Sequence, residues 1–90
     1  MMLYNFSNEK NKILFEERRV TFQHVIDSIS DKGILIDFQH PNFEKYPRQR
    51  IFVVEIFEYT YCVPYVEDDG VIFMKTIFPS RKFLYLLENK

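Results

Sequence analysis

Three consecutive segments with strong β-propensity in the second half of the chain constrain the fold most. They are residues 50–57, 60–66 and 71–78, all rich in β-branched and aromatic side chains. The dipeptides Glu58-Tyr59 and Asp69-Gly70 separate them, and such short connections favour hairpins. The pattern therefore predicts an antiparallel meander, which Pro79 ends because proline cannot donate to a sheet ladder.

Capping residues predict two helices before this meander. Ser7 is placed to cap a helix over residues 8–18, and Thr21 is placed to cap a second helix. Gly33 suits the left-handed position that ends the second helix. Apolar side chains recur in that helix at the i, i+3, i+4, i+7 spacing of a single buried face: Phe22, Val25, Ile26 and Ile29.

The remaining elements complete a single predicted domain over residues 1–90. Short strands are predicted at residues 3–6 and 34–38, and Ser80 can cap a last helix over residues 81–88. The order is then β-α-α-β-β-β-β-α. This order predicts an α+β fold in which helices cover one face of a small antiparallel sheet.

Pairing through two-residue turns divides the predicted sheet into two apolar faces. The face predicted to lie beneath the helices holds Phe52, Val54, Ile56, Tyr61, Val63, Tyr65, Ile72, Met74 and Thr76. The other face is also strongly apolar, and it alone contains Glu55 and Lys75. A large exposed apolar patch on so small a domain usually marks an interaction surface. The second face therefore predicts a protein partner.

The charge and the N-terminus restrict the partner and the compartment. The formal net charge of −1 lacks the basic excess typical of nucleic-acid-binding domains, so any RNA-binding surface must be local. The N-terminus has no cationic segment followed by an apolar one, and no apolar run approaches the roughly 18 residues of a membrane-spanning helix. A cytoplasmic protein without a membrane partner is predicted.

The few special residues predict no metal and no cofactor. Cys62 is the single cysteine, so it can form neither an internal disulfide nor a zinc thiolate cluster, and it is predicted to be a small buried hydrophobe. His24 and His40 are far apart and have no metal-ligand spacing. With two glycines in the chain, a glycine-rich phosphate loop is absent.

Cations form the strongest candidate site. Lys75 stands alone in an apolar segment, where an unpaired buried ammonium would be costly. Arg81 and Lys82 open the predicted last helix, where cations oppose the helix dipole, whereas Arg18 and Arg19 close the first helix, where the dipole favours them. Two more arginines, Arg48 and Arg50, open a strand.

Several short motifs follow one another over nearly the whole chain. They are Asn8-Glu9-Lys10-Asn11-Lys12, Val20-Thr21-Phe22, Arg50 at the start of a strand, Asp69-Gly70-Val71-Ile72 and Pro79-Ser80-Arg81-Lys82. In order and spacing they resemble the BrnT family of bacterial type II toxins, which share the RelE-like ribonuclease architecture. The resemblance implies a toxin that inhibits translation by cleaving RNA without a metal. It also implies neutralisation by a ribbon-helix-helix antitoxin, through which alone the protein would meet operator DNA.

The resemblance also implies roles for the site residues. Arg50, Lys75 and Arg81 would stabilise the phosphorane charge, and His24 would carry a proton because its intrinsic pKa lies near neutrality. Further RNA contacts would come from Arg18, Arg19, Arg48 and Lys82. Two alternatives stay open: a non-catalytic module that binds protein through the second sheet face, and a homodimer with no other partner, which a solution mass would distinguish.

Overall fold

Two capped helices precede the meander of strands, as predicted. The computed structural model describes residues 3–88, in which α1 (Asn8–Arg18) begins at Ser7 and α2 (Phe22–Lys32) begins at Thr21. The hydroxyl of each cap accepts a hydrogen bond from a backbone N–H of the first helical turn, which satisfies a donor without an intrahelical partner. The glycine that follows α2 has a φ of +84° and ends the helix. The helices of the described residues have at most 11 residues each, too few to span a bilayer.

The strands form one mixed sheet rather than the purely antiparallel sheet that was predicted. They are β1 (Leu3–Asn5), β2 (Ile36–Gln39), β3 (Gln49–Ile56), β4 (Tyr59–Asp68), β5 (Val71–Met74) and β6 (Phe78–Pro79). Their order is β1-β5-β4-β3-β2, and β6 pairs with β4. All neighbours are antiparallel except β1 and β5. The two helices carry the chain from β1 at one edge to β2 at the other, so the α+β class is confirmed and the all-antiparallel pairing is wrong.

The β3–β4 hairpin turns at Phe57-Glu58, where Ile56 pairs with Tyr59. The predicted turn lay one residue later, at Glu58-Tyr59, so the strand pairing differs from the prediction by two residues. Because side chains alternate between faces with a period of two, this shift leaves every face assignment in the hairpin unchanged.

The helix-side core consequently matches the predicted set closely. The second hairpin turns at Asp69-Gly70 as predicted, which fixes the faces of β4 and β5. Buried side chains of the helices and of the sheet form a single cluster. Its members are Leu14, Val20, Phe22, Val25, Phe52, Val54, Ile56, Val63, Tyr65, Ile72, Met74 and Ile77, with Tyr61 packed against them.

We expect replacement of Phe57-Glu58 by Asn-Gly to raise the free energy of unfolding by about 1–2 kcal/mol. Both residues have positive φ, 54° and 62°, which Phe and Glu adopt at a cost and which Asn-Gly suits. Urea unfolding of Phe57→Asn/Glu58→Gly measures the gain. Gly70→Ala is the opposite control: an added Cβ meets nothing within 4 Å, yet φ is +79°, so stability should fall. A hairpin variant no more stable than the native protein would contradict the strained turn.

A β-bulge divides the last predicted strand. β4 pairs Tyr65 with Met74 and Cys62 with Phe78, so one extra residue is inserted on the β5–β6 side. The Lys75 N–H still donates to the Pro64 carbonyl at 2.8 Å, and β5 ends before it. The continuous strand over residues 71–78 was therefore a wrong prediction.

The bulge changes which side chains enter the core. The extra residue turns Ile77 into the helix-side core, where it is fully buried. Thr76, which was predicted to occupy that face, is only partly buried. Lys75 is exposed, so the bulge solvates the charge that a continuous apolar strand would have confined.

The C-terminal segment covers the second sheet face, which was predicted to be open. It is a 3₁₀ helix, Arg81–Leu87, rather than an α-helix. Phe83 is 8% exposed and stacks on Phe38 with ring centroids 5.6 Å apart. The cluster on this face also contains Ile51, Val53 and Cys62, with Leu35, Ile36, Phe78 and Leu86 packed against it. Helices thus cover both faces, and the predicted open apolar face was wrong.

Backbone and hydroxyl bonds, not a side-chain cap, fix the start of this helix. Ser80 makes no capping hydrogen bond with its side chain. Its N–H instead donates to the Thr60 carbonyl at 2.9 Å, and the Thr60 hydroxyl donates to the Ser80 carbonyl at 2.6 Å. The predicted capping role of Ser80 was therefore wrong, and the segment is held to β4.

Candidate functional site

The end of α1 reaches the β5–β6 bulge. Arg18 donates from Nη1 to the Ile77 carbonyl at 3.1 Å. Ile77 lies two residues after Lys75 and four before Arg81, so chain geometry keeps both α-carbons within about 14 Å of it. Five cations lie on the two segments that this contact joins, and they will be called the cationic edge: Arg18, Arg19, Lys75, Arg81 and Lys82.

The charges of the cationic edge are exposed and are not neutralised by carboxylates. Every residue of the set is exposed. Within residues 3–88 the ion pairs are Lys32–Glu55 and Arg50–Asp37, and neither includes a residue of the cationic edge. An anion that meets this edge therefore does not have to displace a carboxylate of the described chain.

Aromatic rings support three of these cations. The guanidinium of Arg19 lies 5.2 Å from the centroid of Phe15. The ammonium groups of Lys75 and Lys82 lie 5.3 Å and 5.4 Å from the centroids of Phe73 and Phe83, respectively, which are their near neighbours in sequence. Such contacts restrict the stems while the charges stay in water. Of these rings, Phe15 is 45% exposed and could stack on a base, whereas Phe83 is buried against Phe38.

Arg50 lies apart from this edge, in a polar cluster on the helix-side face. Its Nε donates to Asp37 Oδ1 at 2.9 Å. The hydroxyl of Tyr65 donates to Asp37 Oδ2 at 2.5 Å. Register explains the cluster, because Arg50 pairs with Tyr65 across β3 and β4, and β2 places Asp37 opposite Phe52.

Burial and the shared carboxylate shift the pKa values in this cluster. Burial, followed by the hydrogen bond to Asp37, raises the pKa of Tyr65 to about 12. The hydrogen bond to Asp37 raises the pKa of Arg50 above its ordinary value. Arg50 therefore stays charged, and Tyr65 stays a neutral donor across the physiological range.

Glu55, which was predicted to share the open face with Lys75, is paired with Lys32 of α2 instead. Glu55 is buried and accepts a hydrogen bond from Lys32 Nζ at 3.0 Å, at the end of β3 nearest the Phe57-Glu58 turn. Lys75 bonds to Pro64, four residues along β4 from Thr60, the partner of Glu55. Four residues of strand span about 13 Å, so Lys75 and Glu55 lie well apart.

His24 lies beside the Phe57-Glu58 turn. The end of the molecule at this turn will be called the hairpin end. His24 accepts a hydrogen bond at Nδ1 from the Thr21 N–H at 3.0 Å, which completes the N-terminal cap of α2. Its ring meets the Phe57 ring edge-on, with centroids 5.0 Å apart. Both line a shallow groove of about 370 Å³ together with Asp27, Ser28, Asp31, Lys32, Glu55 and Ile56.

The four residues predicted to be catalytic therefore occupy different places. β3 runs for about 20 Å between Arg50 and the hairpin end, so Arg50 and His24 do not share a site. Lys75 lies at the bulge, and Arg81 follows Ser80, which is bonded to β4 near the hairpin end. Arg48 is exposed in the loop before β3. The structure brings Arg18 to Ile77, two residues after Lys75, whereas Arg50 lies across β4 from Met74.

Sequence reasoning missed Asp37 and Tyr65 as site residues. Tyr65 was assigned to the core, and its buried body does pack there, but its hydroxyl reaches Asp37. The alternation of Ile36, Asp37 and Phe38 is the available signal, since it places a carboxylate on one face of a short strand. Its partners follow only from the β2–β3 register.

The thiol and the possible metal ligands of the described segment add no further reactive centre. Cys62 is buried as predicted, and burial raises the pKa of its thiol, so the reactive thiolate is disfavoured. Across residues 3–88, His, Cys, Asp and Glu side chains form no group of three that could hold a metal ion.

Comparison with protein-family models, with curated proteins and with solved structures gives no match.

Proposed function

We propose that this protein is the toxin of a type II toxin-antitoxin system, of the BrnT kind with RelE-like architecture, and that it binds and cleaves RNA at the cationic edge. The observation that carries the proposal is the bond from Arg18 to Ile77, because it adds the cationic end of α1 to the bulge that exposes Lys75. A neutralising ribbon-helix-helix antitoxin and a cytoplasmic location belong to the same proposal.

The chemistry that suits this edge is metal-independent cleavage of a phosphodiester. The ribose 2′-hydroxyl loses its proton and attacks the adjacent phosphorus, and the bond to the 5′-oxygen breaks as that oxygen gains a proton. Arg81 would stabilise the negative charge that develops on the phosphorane, and Lys75 would bind a neighbouring phosphate of the same RNA strand. His24 keeps Nε2 for proton transfer, since Nδ1 is bonded to the cap of α2, and it lies at the hairpin end, as Arg81 does.

We expect Lys75→Ala and Arg81→Ala each to weaken binding of a fluorescent single-stranded RNA. Each lost phosphate contact should reduce the slope of log affinity against log salt by about 0.7. Fluorescence anisotropy at several salt concentrations measures both quantities. Lys45→Ala is the matched control, because its ammonium also rests on a ring, 5.4 Å from the Tyr46 centroid, but in the loop before β3. An equal loss in all three variants would show that only net charge matters.

Expression of the native chain in a bacterium tests the activity itself. Growth arrest with cleaved RNA is expected, and purified protein should cleave RNA in the presence of a chelator. Arg81→Ala should restore growth while the circular dichroism of the folded protein is retained. Normal growth and intact RNA in cells that contain folded native protein would overturn the proposed activity.

A second candidate function is a non-catalytic protein-binding module. The specific observation in its favour is Phe57, which is 67% exposed, has a positive φ and borders the groove of His24. Since the 3₁₀ helix covers the second sheet face, a protein partner would dock at this hairpin end. Absent or salt-independent RNA binding would favour the module over the ribonuclease.

A further inference from the structure

The Asp37–Arg50–Tyr65 cluster holds an arginine in a fixed orientation while leaving its end accessible. The bond to Asp37 uses Nε, so the N–H groups of both terminal nitrogens are not needed for that contact. The Arg50 side chain is 49% exposed. Within the described chain, Asp37 is the single carboxylate at ion-pair distance from Arg50.

Asp37 is itself fixed from two directions. Its Oδ1 accepts from Arg50, and its Oδ2 accepts from the hydroxyl of Tyr65. Tyr65 is 4% exposed and lies in the middle of the sheet, paired with Arg50 on one side and Met74 on the other. An arginine positioned by a buried anchor loses less conformational entropy when it binds an anion.

We propose that this cluster is a second phosphate site, at which Arg50 binds a backbone phosphodiester of the RNA and Asp37 is a positioning residue. The inference rests on the proposed function. β3 and β5 lie two strand spacings apart, about 10 Å, so an RNA strand of several nucleotides can reach both Arg50 and the cationic edge. Arg48, two residues before Arg50, is exposed beside the same strand.

The direction in which one substitution changes RNA affinity distinguishes a positioning role for Asp37 from a purely electrostatic effect. Asp37→Asn removes a negative charge, which by itself should strengthen RNA binding. If Asp37 positions Arg50, the same change should weaken binding, because the guanidinium loses its anchor. We expect Arg50→Ala to weaken affinity for a fluorescein-labelled single-stranded RNA about tenfold, and Asp37→Asn to weaken it about threefold.

Two further variants and a folding measurement complete the test. Arg50→Lys should not restore affinity, because an ammonium lacks the planar fork that binds phosphate. Tyr65→Phe leaves the net charge unchanged and should also weaken binding. Thermal unfolding of each variant must show a folded protein at the assay temperature.

Each outcome of the experiment has a definite meaning. If native protein binds RNA and Lys75→Ala weakens binding, while Arg50→Ala does not, the second site is overturned and the proposed function stands. Stronger binding by Asp37→Asn also overturns the positioning role. If native protein does not bind RNA, both the proposed function and the second phosphate site are overturned. If inorganic phosphate binds to native protein but not to Arg50→Ala, and RNA does not bind, the cluster is a site for a small phosphorylated ligand and the RNA assignment is overturned.

Discussion

Phe83→Ala should lower the free energy of unfolding by about 3 kcal/mol, the usual cost of deleting a buried phenyl group. Phe83 is 8% exposed, stacks on Phe38 and packs against Ile51 and Cys62. It is the buried residue of the 3₁₀ helix, so its loss should detach that helix from the second sheet face. For a domain of this size such a loss is a large part of the total stability.

Cys62 reports this detachment directly. It is the single cysteine of the chain and is 3% exposed beneath the helix. In native protein its thiol should react slowly with a disulfide reagent, because it is buried and its pKa is raised. In Phe83→Ala under native conditions we expect the reaction to be at least tenfold faster, as roughly 1.4 kcal/mol less local stability would produce.

Tyr85→Ala is the matched control for Phe83→Ala. Tyr85 belongs to the same 3₁₀ helix but is 52% exposed, so both stability and the reactivity of Cys62 should change little. If Cys62 in Phe83→Ala reacts as slowly as in native protein and urea unfolding is unchanged, the helix does not cover the sheet in solution. The predicted open apolar face would then be restored, and with it the docking surface that the sequence suggested.

Local signals were sufficient to predict the helices and the helix-side core. Ser7 and Thr21 indicate where the helices begin, because the capping hydrogen bond from a first-turn N–H to the hydroxyl depends on a few adjacent residues only. Val54 and Val63 could be assigned to the core because alternation survives a register error of two residues. The turn itself was misplaced because Phe57 and Glu58 both adopt positive φ, for which neither side chain gives a signal.

Long-range pairing decided the features that the sequence did not reveal. The bulge inserts one residue after Met74, and no glycine or proline there marks it, so Ile77 and Thr76 exchange their expected positions. The parallel contact of β1 with β5 and the packing of Phe83 on Phe38 join residues far apart in sequence. When both faces of a sheet are apolar, the local sequence pattern does not indicate which face the C-terminal helix covers.

The candidate site was predictable in its parts but not in its arrangement. Cations beside apolar strands pointed to Lys75 and Arg81, and both are exposed in the structure. The contact of Arg18 with Ile77 depends on how α1 crosses the sheet, and the bond from Arg50 to Asp37 depends on the register across the loop of residues 40–48. Residue type indicates a site residue, while tertiary contacts decide which of these residues act together.

Alkaline pH should destabilise the native protein more than it destabilises the Tyr65→Phe variant. The pKa of Tyr65 is raised from 10.0 to about 12 in the folded protein, so between these values the folded state holds a proton that the unfolded state has lost. The stabilisation is complete below pH 10 and is lost as the pH rises towards 12. A shift of this size corresponds to about 2–3 kcal/mol.

Urea unfolding of both proteins at several pH values from 9 to 12 gives the free energy of unfolding of each. The difference between native protein and Tyr65→Phe should fall as the pH rises. Other groups that titrate in this range cancel in the difference, and Tyr85→Phe, which removes an exposed phenol, controls for the loss of one tyrosine. The physical cause is that an ionised Tyr65 would be buried beside the carboxylate of Asp37 and could no longer donate to it. A stability difference that does not change with pH would mean that the hydroxyl is solvated. Asp37 would then lack its buried anchor, and the fixed orientation of Arg50 would lose its structural basis.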